Sequence, residues 1–203
     1  MKHLTASGPT GMTGAAHDVT RDAWLAVRCQ LGEREAFDLL IERWHGPLWT
    51  YARRVTGSDD AAHEVVQEAW LRILRGLPRL RDAARLRPWL FGITRRTLMD
   101  RLRGQYAAPG PSDVDLDTLA AAGAGEVSGS GADAEADEAG LLEGLAGLPV
   151  TEREVLTLFY LRELSLAEVA ELLDIPVGTV KSRLHRARRM LRQAITSADR
   201  SHS

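Results

Sequence analysis

Between Gln105 and Gly140 the chain carries two prolines, six glycines and eight acids, with no lysine or arginine and hardly any large apolar side chain. Such a stretch cannot bury enough apolar surface to offset the entropy lost on ordering it. It is also far longer than the few residues that join elements inside a compact domain. Residues 105–140 are therefore expected to form a flexible acidic linker, and the chain to fold as two units on either side of it. Aromatic residues make up only 5% of the sequence, so both cores must be built mainly from Leu, Val, Ile and Ala.

Both flanking segments show helical spacing. In residues 21–104, Asp22 is placed to cap a helix carrying Trp24, Leu25, Val27 and Cys29. Ala36, Phe37, Leu40, Ile41 and Trp44 recur at three and four residues, and Leu48, Tyr51, Ala52 and Val55 continue the stripe after Pro47. The run Gly57-Ser58-Asp59-Asp60 stops that helix and caps the next, from about Ala61 to Arg75. A last helix is expected to start near Pro88, which suits a first helical turn. In residues 141–196, Thr151 with Glu154 and Ser165 with Glu168 have the spacing of two capping boxes. A short helix behind Ser165 breaks at Asp174-Ile175-Pro176, and a longer one follows from about Gly178 to Ile195. Residues 1–20 and 197–203 are expected to be tails. The fold class is all-α: two small helical domains joined by a flexible acidic linker.

The net charge of −2 conceals how charge is distributed. From Arg72 to Arg103 ten arginines face only Asp82 and Asp100, a balance of +8. From Val177 to Arg192 there are six bases and no acid, +6, whereas the linker is −8. Basic clusters on ordered helices are the electrostatic footprint of phosphate binding. In the second unit this charge lies on a short helix, a tight turn and a second helix, the geometry of a helix-turn-helix. Val180, Leu184, Ala187 and Leu191 take its inward stripe, leaving Thr179, Lys181, Ser182, Arg183, Arg186, Arg188 and Arg189 mostly outward. Early residues of such a helix reach base edges in the major groove and later basic ones reach phosphates. Lys181, Ser182, Arg183 and Arg186 are thus assigned to bases or adjacent phosphates, and Arg188, Arg189 and Arg192 mainly to the backbone.

The run Ile175-Pro-Val-Gly-Thr-Val-Lys-Ser-Arg-Leu-His-Arg-Ala-Arg188 resembles region 4 of extracytoplasmic-function sigma factors, group 4 of the sigma-70 family. Asp174 stands where that family usually has Gly, and Asp tolerates a left-handed turn better than most residues. The first unit resembles sigma region 2 independently. Ala61 to Leu74 is similar to the helix that grips the clamp helices of the polymerase largest subunit, which implies core-binding roles for Glu64, Gln67, Glu68 and Leu71. Arg87 to Arg103 is similar to the segment that melts and reads the −10 element, implying roles for Leu80, Arg95, Arg96 and Arg103. The family often has Asn in place of Arg96 and an aromatic in place of Leu80.

The resemblance implies a factor with no catalysis of its own. It would bind RNA polymerase core at the clamp helices and flap, read −35 and −10 promoter elements, and act in a stress or envelope response. A partner anti-sigma factor is expected, as is a linker that threads the nucleic-acid channel of the polymerase. One cysteine, Cys29, precludes an internal disulfide and suggests a reducing, cytoplasmic setting. No apolar run approaches the roughly 20 residues that span a bilayer, so no membrane insertion is expected. His63-Glu64 begins like a zinc-protease motif, but position 67 is Gln; no metal, cofactor or catalytic residue is expected. A stand-alone helix-turn-helix regulator is the alternative, and it would require residues 21–104 to be a sensor or dimerisation domain despite their basic block.

Overall fold

The computed structural model describes residues 11–105, 144–145 and 147–201; the expected linker, from Tyr106 on, lies outside them. Among the described residues every regular element is helical. The first unit comprises α1 (Gly11–Gln30), α2 (Arg34–Thr56), α3 (Asp59–Gly76) and α4 (Leu86–Gln105), with two short 3₁₀ turns, Leu77–Arg79 and Ala83–Arg85, before α4. The second comprises α5 (Val150–Leu156), running on as a π turn over Thr157–Leu161, then α6 (Leu166–Leu173) and α7 (Val177–Ser201).

Local chemistry sets most of the boundaries. Gly57 adopts a left-handed conformation (φ 71°) and donates its N–H to the Arg53 carbonyl at 2.9 Å, ending α2. Ser58 then accepts from the Ala61 N–H and starts α3. Pro47 lies inside α2 and cannot donate to the Arg43 carbonyl. The helix persists because Leu40, Trp44, Leu48, Tyr51 and Val55 are all buried along one stripe. The centre of the first core is aromatic: Phe91 of α4 meets Trp44 and Tyr51 edge-on, with ring centroids 6.1 and 5.5 Å apart. Cys29 is buried there, 2% exposed.

The N-terminal half of α1 departs from expectation. Residues 11–20, assigned to a tail, are helical, and Asp22 sits inside the helix rather than capping it. The cause is tertiary. Arg43 of α2 donates through Nε to Asp22 Oδ1 at 2.6 Å and through Nη2 to Asp18 Oδ1 at 2.9 Å, which fastens this stretch to α2. At the other end of the chain α7 continues to Ser201, taking in residues 197–201, because no Gly or Pro follows Leu191 to stop it.

In the second unit one expected capping box forms and the other does not. Ser165 Oγ accepts from the Glu168 N–H, and the Glu168 carboxylate accepts from the Ser165 N–H at 2.8 Å. At the start of α5 the N-cap position falls on Pro149, with no side-chain cap. Thr151 Oγ1 turns to Glu152 instead, and the Glu154 carboxylate faces the first unit. Asp174 closes α6 in the left-handed region, φ 56° and ψ 47°, where the family's glycine would stand. Ala170 and Leu173 of α6 pack with Val180, Leu184 and Ala187 of α7 in the buried core. The two units also pack on one another, α5 against α2 and α6 against α4.

Candidate polymerase and DNA interfaces

Turning at Pro176 orients the first candidate face. The Pro176 carbonyl accepts the N–H groups of Thr179 and Val180 at 2.8 and 3.1 Å, forming the first turn of α7. Val180, Leu184 and Ala187 are buried, so Lys181, Ser182, Arg186, Arg188 and Arg189 stand exposed on the opposite side, with Thr179 and Arg183 half-buried at its margin. Two of these arginines bind within the chain. Arg186 Nη1 lies 3.4 Å from the buried Glu152 carboxylate, and Arg188 donates to the Tyr160 hydroxyl at 3.2 Å. Lys181, Ser182 and Arg183 therefore form the section of the face nearest the turn, and Arg189 extends it.

The second face lies on α4 and the loop before it. Gln30 Nε2 donates to the carbonyls of Leu77 and Leu80 at 3.1 and 2.8 Å, pinning that loop to the end of α1. Leu80 is half-buried, whereas Arg96 and Arg103 are exposed. Arg103 Nη1 sits 3.9 Å from Asp100. Arg95 is not a free cation: its Nε donates to Glu154 Oε1 at 3.1 Å. Leu80, Arg95, Arg96 and Arg103 line one groove of about 650 Å³, together with Trp89. Trp89 is half-buried on the apolar stripe of α4, close enough to Gly76 that a Cβ there would meet its ring at 3.0 Å.

The third face is the outer side of α3. Glu64, Gln67, Glu68 and Leu71 are all exposed at a spacing of three and four, hence on one side of the helix. Val65, Val66, Ala69 and Ile73 hold the opposite side in the core. Glu64 pairs with Arg101, and Glu68 accepts from Arg72 Nε at 3.0 Å. Arg72 also reaches Asp100 of α4 at 2.7 Å, so Glu64 is balanced by Arg101 of α4 while Glu68 shares Arg72 with Asp100. Leu71 is 46% exposed and Leu74 36%, leaving an apolar patch beside Gln67.

Several residues of consequence carry no sequence signal. Tyr51, fully buried, donates to Glu154 Oε1 at 2.6 Å across 103 residues of chain. Burial first, and the Glu154 carboxylate second, hold the Tyr51 phenol well above its ordinary pKa, so it remains a donor. Arg153 donates to the Arg54 carbonyl at 2.8 Å and to the Leu148 carbonyl at 3.1 Å. Arg85 pairs with Glu171, and Arg87 lies 3.4 Å from Glu163. Each of these looks in the sequence like an ordinary surface charge or a core position, since its partner is distant in the chain. Among the described residues no cluster of side chains suits a metal ion, and no helix is long and apolar enough to cross a membrane.

Comparison with known proteins agrees with two helical units in this order. Residues 40–107 match the family described as Sigma-70 region 2, and residues 139–191 match Sigma-70, region 4. The first match removes the need for a sensor or dimerisation domain in the N-terminal unit, and with it the stand-alone regulator. The RNA polymerase sigma-H factor of Pseudomonas aeruginosa is 30% identical over 181 residues, covering 86% of this chain and 94% of that protein. A 48-residue stretch is 54% identical to the ECF RNA polymerase sigma factor SigW of Bacillus subtilis, of which it spans only 26%. Among solved structures, CnrH in complex with the cytosolic domain of CnrY superposes with a TM-score of 0.60 at 26% identity, covering 88% of this chain and 98% of that one. With both sigma regions matched in order and relatives, extracytoplasmic-function factors among them, aligned over most of their length, the chain belongs to the extracytoplasmic-function sigma factors of the sigma-70 family.

Proposed function

We propose that this sigma factor, which binds RNA polymerase core and directs promoter-specific initiation, divides the work among its three faces. The exposed Glu64, Gln67, Glu68 and Leu71 side of α3 docks on the clamp helices of the largest subunit. Thr179, Lys181, Ser182, Arg183 and Arg186 meet the −35 element in the major groove, with Arg188 and Arg189 on the flanking phosphates, while their domain rests on the polymerase flap. Leu80, Arg95, Arg96 and Arg103 serve the opened −10 strand, the arginines on its backbone and the loop against its bases. The observation that carries this reading is the segregation of two basic faces onto separate helical units, with an apolar and polar face on α3 between α2 and α4. The domains are read as residues 21–104 and 141–196, extended by the helical residues 11–20 and 197–201 and joined by the acidic segment.

The polymerase supplies the chemistry in this scheme, and the factor acts in the cytoplasm without catalysis of its own. An anti-sigma protein is its proposed regulator, in a stress or envelope response; the relative CnrH is solved with a protein partner. Footprinting of holoenzyme tests the division of labour. Lys181→Ala or Arg183→Ala should lose about 1–3 kcal/mol of promoter affinity for each base contact removed, with protection vanishing over −35 first. Leu71→Ala with Gln67→Ala should weaken core binding and leave the affinity of the isolated factor for duplex DNA intact. Unchanged −35 protection in both α7 variants would refute the assignment of that helix.

A further inference from the structure

A cluster of arginines lies where the C-terminal end of α2 meets the second unit. Arg54 of α2, Arg153 of α5 and Arg162, which closes the π turn, are each half-buried there. Arg153 Nη1 donates to the Arg54 carbonyl at 2.8 Å and Nη2 to the Leu148 carbonyl at 3.1 Å, which fixes its guanidinium. Its Nε is buried with no acceptor, and so is the Nε of Arg162. Burial holds Arg153 below the usual arginine value; at Arg162 burial, then repulsion from Arg54, brings the value down to about 10.

The neighbouring carboxylates are engaged elsewhere. Glu152 accepts from Thr151 and lies 3.4 Å from Arg186. Glu154 accepts from Tyr51 and Arg95, Glu163 lies 3.4 Å from Arg87, and Asp59 pairs with Arg53. Arg153 and Arg162 therefore have no carboxylate partner among the described residues. A guanidinium taken out of water without an acceptor costs stability, and Arg54 adds repulsion at Arg162. An anion from outside the chain would offset both.

The chemistry favours phosphate over carboxylate. Three guanidiniums and one carboxylate leave a balance of +2. A phosphate group carries about −1.5 to −2 at neutral pH and offers three strong acceptor oxygens. Planar guanidiniums meet such oxygens in charge-assisted, often bidentate pairs. On the same π turn the Thr157 hydroxyl is buried and unpartnered, and isolated π turns are frequent at functional sites.

We infer that Arg54, Arg153 and Arg162 form a binding site for a phosphate dianion, which bridges α2 of the first unit to the π turn of the second. None of these residues belongs to the three faces assigned to polymerase and DNA, so the site stands independently of them. The dianion is free phosphate or the terminal group of a small phosphate ester. Binding it tightens the junction of the two units, so the stability of the chain follows phosphate concentration.

Calorimetry of the full chain against inorganic phosphate tests this, with sodium chloride at matched ionic strength as baseline. Beyond saturation each tenfold rise in phosphate adds ~1.4 kcal/mol, so the midpoint should climb about 3–6 °C per decade for a chain of this size. Phosphate also stabilises proteins by exclusion from their surface, but that effect raises every variant alike. Arg162→Met and Arg54→Met should lose the climb. Arg34→Met, exposed at the other end of α2, should climb as the wild type does. Without phosphate, Arg162→Met should be at least as stable as the wild type, because an unpaired half-buried cation is gone. Phosphorus NMR gives a second readout: the wild type should broaden the phosphate resonance and Arg162→Met should not. Glycerol 3-phosphate separates the two sources, since a climb that begins at lower concentration than with phosphate identifies an ester, and an equal or later onset identifies the free anion. A wild type that neither climbs nor broadens the resonance would overturn the site. So would an equal climb in all variants, or an Arg162→Met that is destabilised in the absence of phosphate.

Discussion

Replacing Arg43 with Met should unfasten α1 from the first unit. Arg43 holds Asp22 at 2.6 Å and Asp18 at 2.9 Å, and its guanidinium lies 5.8 Å from the centre of the Trp44 ring. The Asp22 side chain is only 4% exposed, and its Oδ2 has no hydrogen-bond partner. Once Arg43 is gone, the nearest remaining cation is Arg87, at 4.0 Å. Removing one member of a buried ion pair typically costs about 3–5 kcal/mol, because the other charge is left desolvated. The reach of Arg87 places this case near the lower end, about 3 kcal/mol, and the half-exposed Asp18 adds less than about 1 kcal/mol. For a unit of this size each kcal/mol is worth about 4–8 °C, so the midpoint should fall by about 12–24 °C. Differential scanning calorimetry measures this directly. The double variant Arg43→Met with Asp22→Asn, which removes the orphaned charge as well, should recover a large part of the loss. A fall of less than about 1 kcal/mol in the single variant, or no recovery in the double, would refute the reasoning.

Other expectations follow from the same structure. Asp174→Gly should stabilise the second unit by about 0.5–1 kcal/mol, and Asp174→Val should destabilise it by more than about 1 kcal/mol, since only glycine enters the left-handed region without steric cost; chemical denaturation compares them. Gln30→Leu removes two hydrogen bonds to the Leu77 and Leu80 carbonyls, worth about 1–2 kcal/mol together. It should slow promoter opening, read by permanganate reactivity of the −10 strand, while core binding is unchanged. Burial pushes the Cys29 thiol up from 9.0 to about 11. Its neutral form is the one the fold favours, so this stabilisation is complete below pH 9 and is lost as pH rises through 11. Native protein at pH 8 should accordingly resist thiol reagents until it is unfolded by denaturant.

What the sequence disclosed was the local part of the structure. Ser58 and the Ser165–Glu168 box act within one helical turn, Asp174 needs only its own backbone, and the α3 and α7 stripes follow from helical period. Failures arose where a distant partner outbid a local one. Thr151 and Glu154 have capping-box spacing, yet Glu154 is drawn to Tyr51 and Arg95, 103 and 59 residues away. Asp22 has the look of an N-cap until Arg43 of α2 claims it. Arg186 and Arg188, assigned to DNA from their places on the second helix of the helix-turn-helix, also have intrachain partners in Glu152 and Tyr160 that no local pattern announces. The packing of the second unit on α4 and the turn before it had no sequence signal, because the ion pairs there join residues 76 and 86 positions apart.

The most direct test is transcription in vitro. Purified protein is added to sigma-free bacterial core polymerase on a pool of promoter fragments from its own genome. The account predicts new transcripts from a discrete set of promoters sharing one −35 and one −10 sequence, with Lys181→Ala and Arg183→Ala reducing them at limiting factor. Absence of transcripts, together with failure of the protein to co-purify with core, would contradict it.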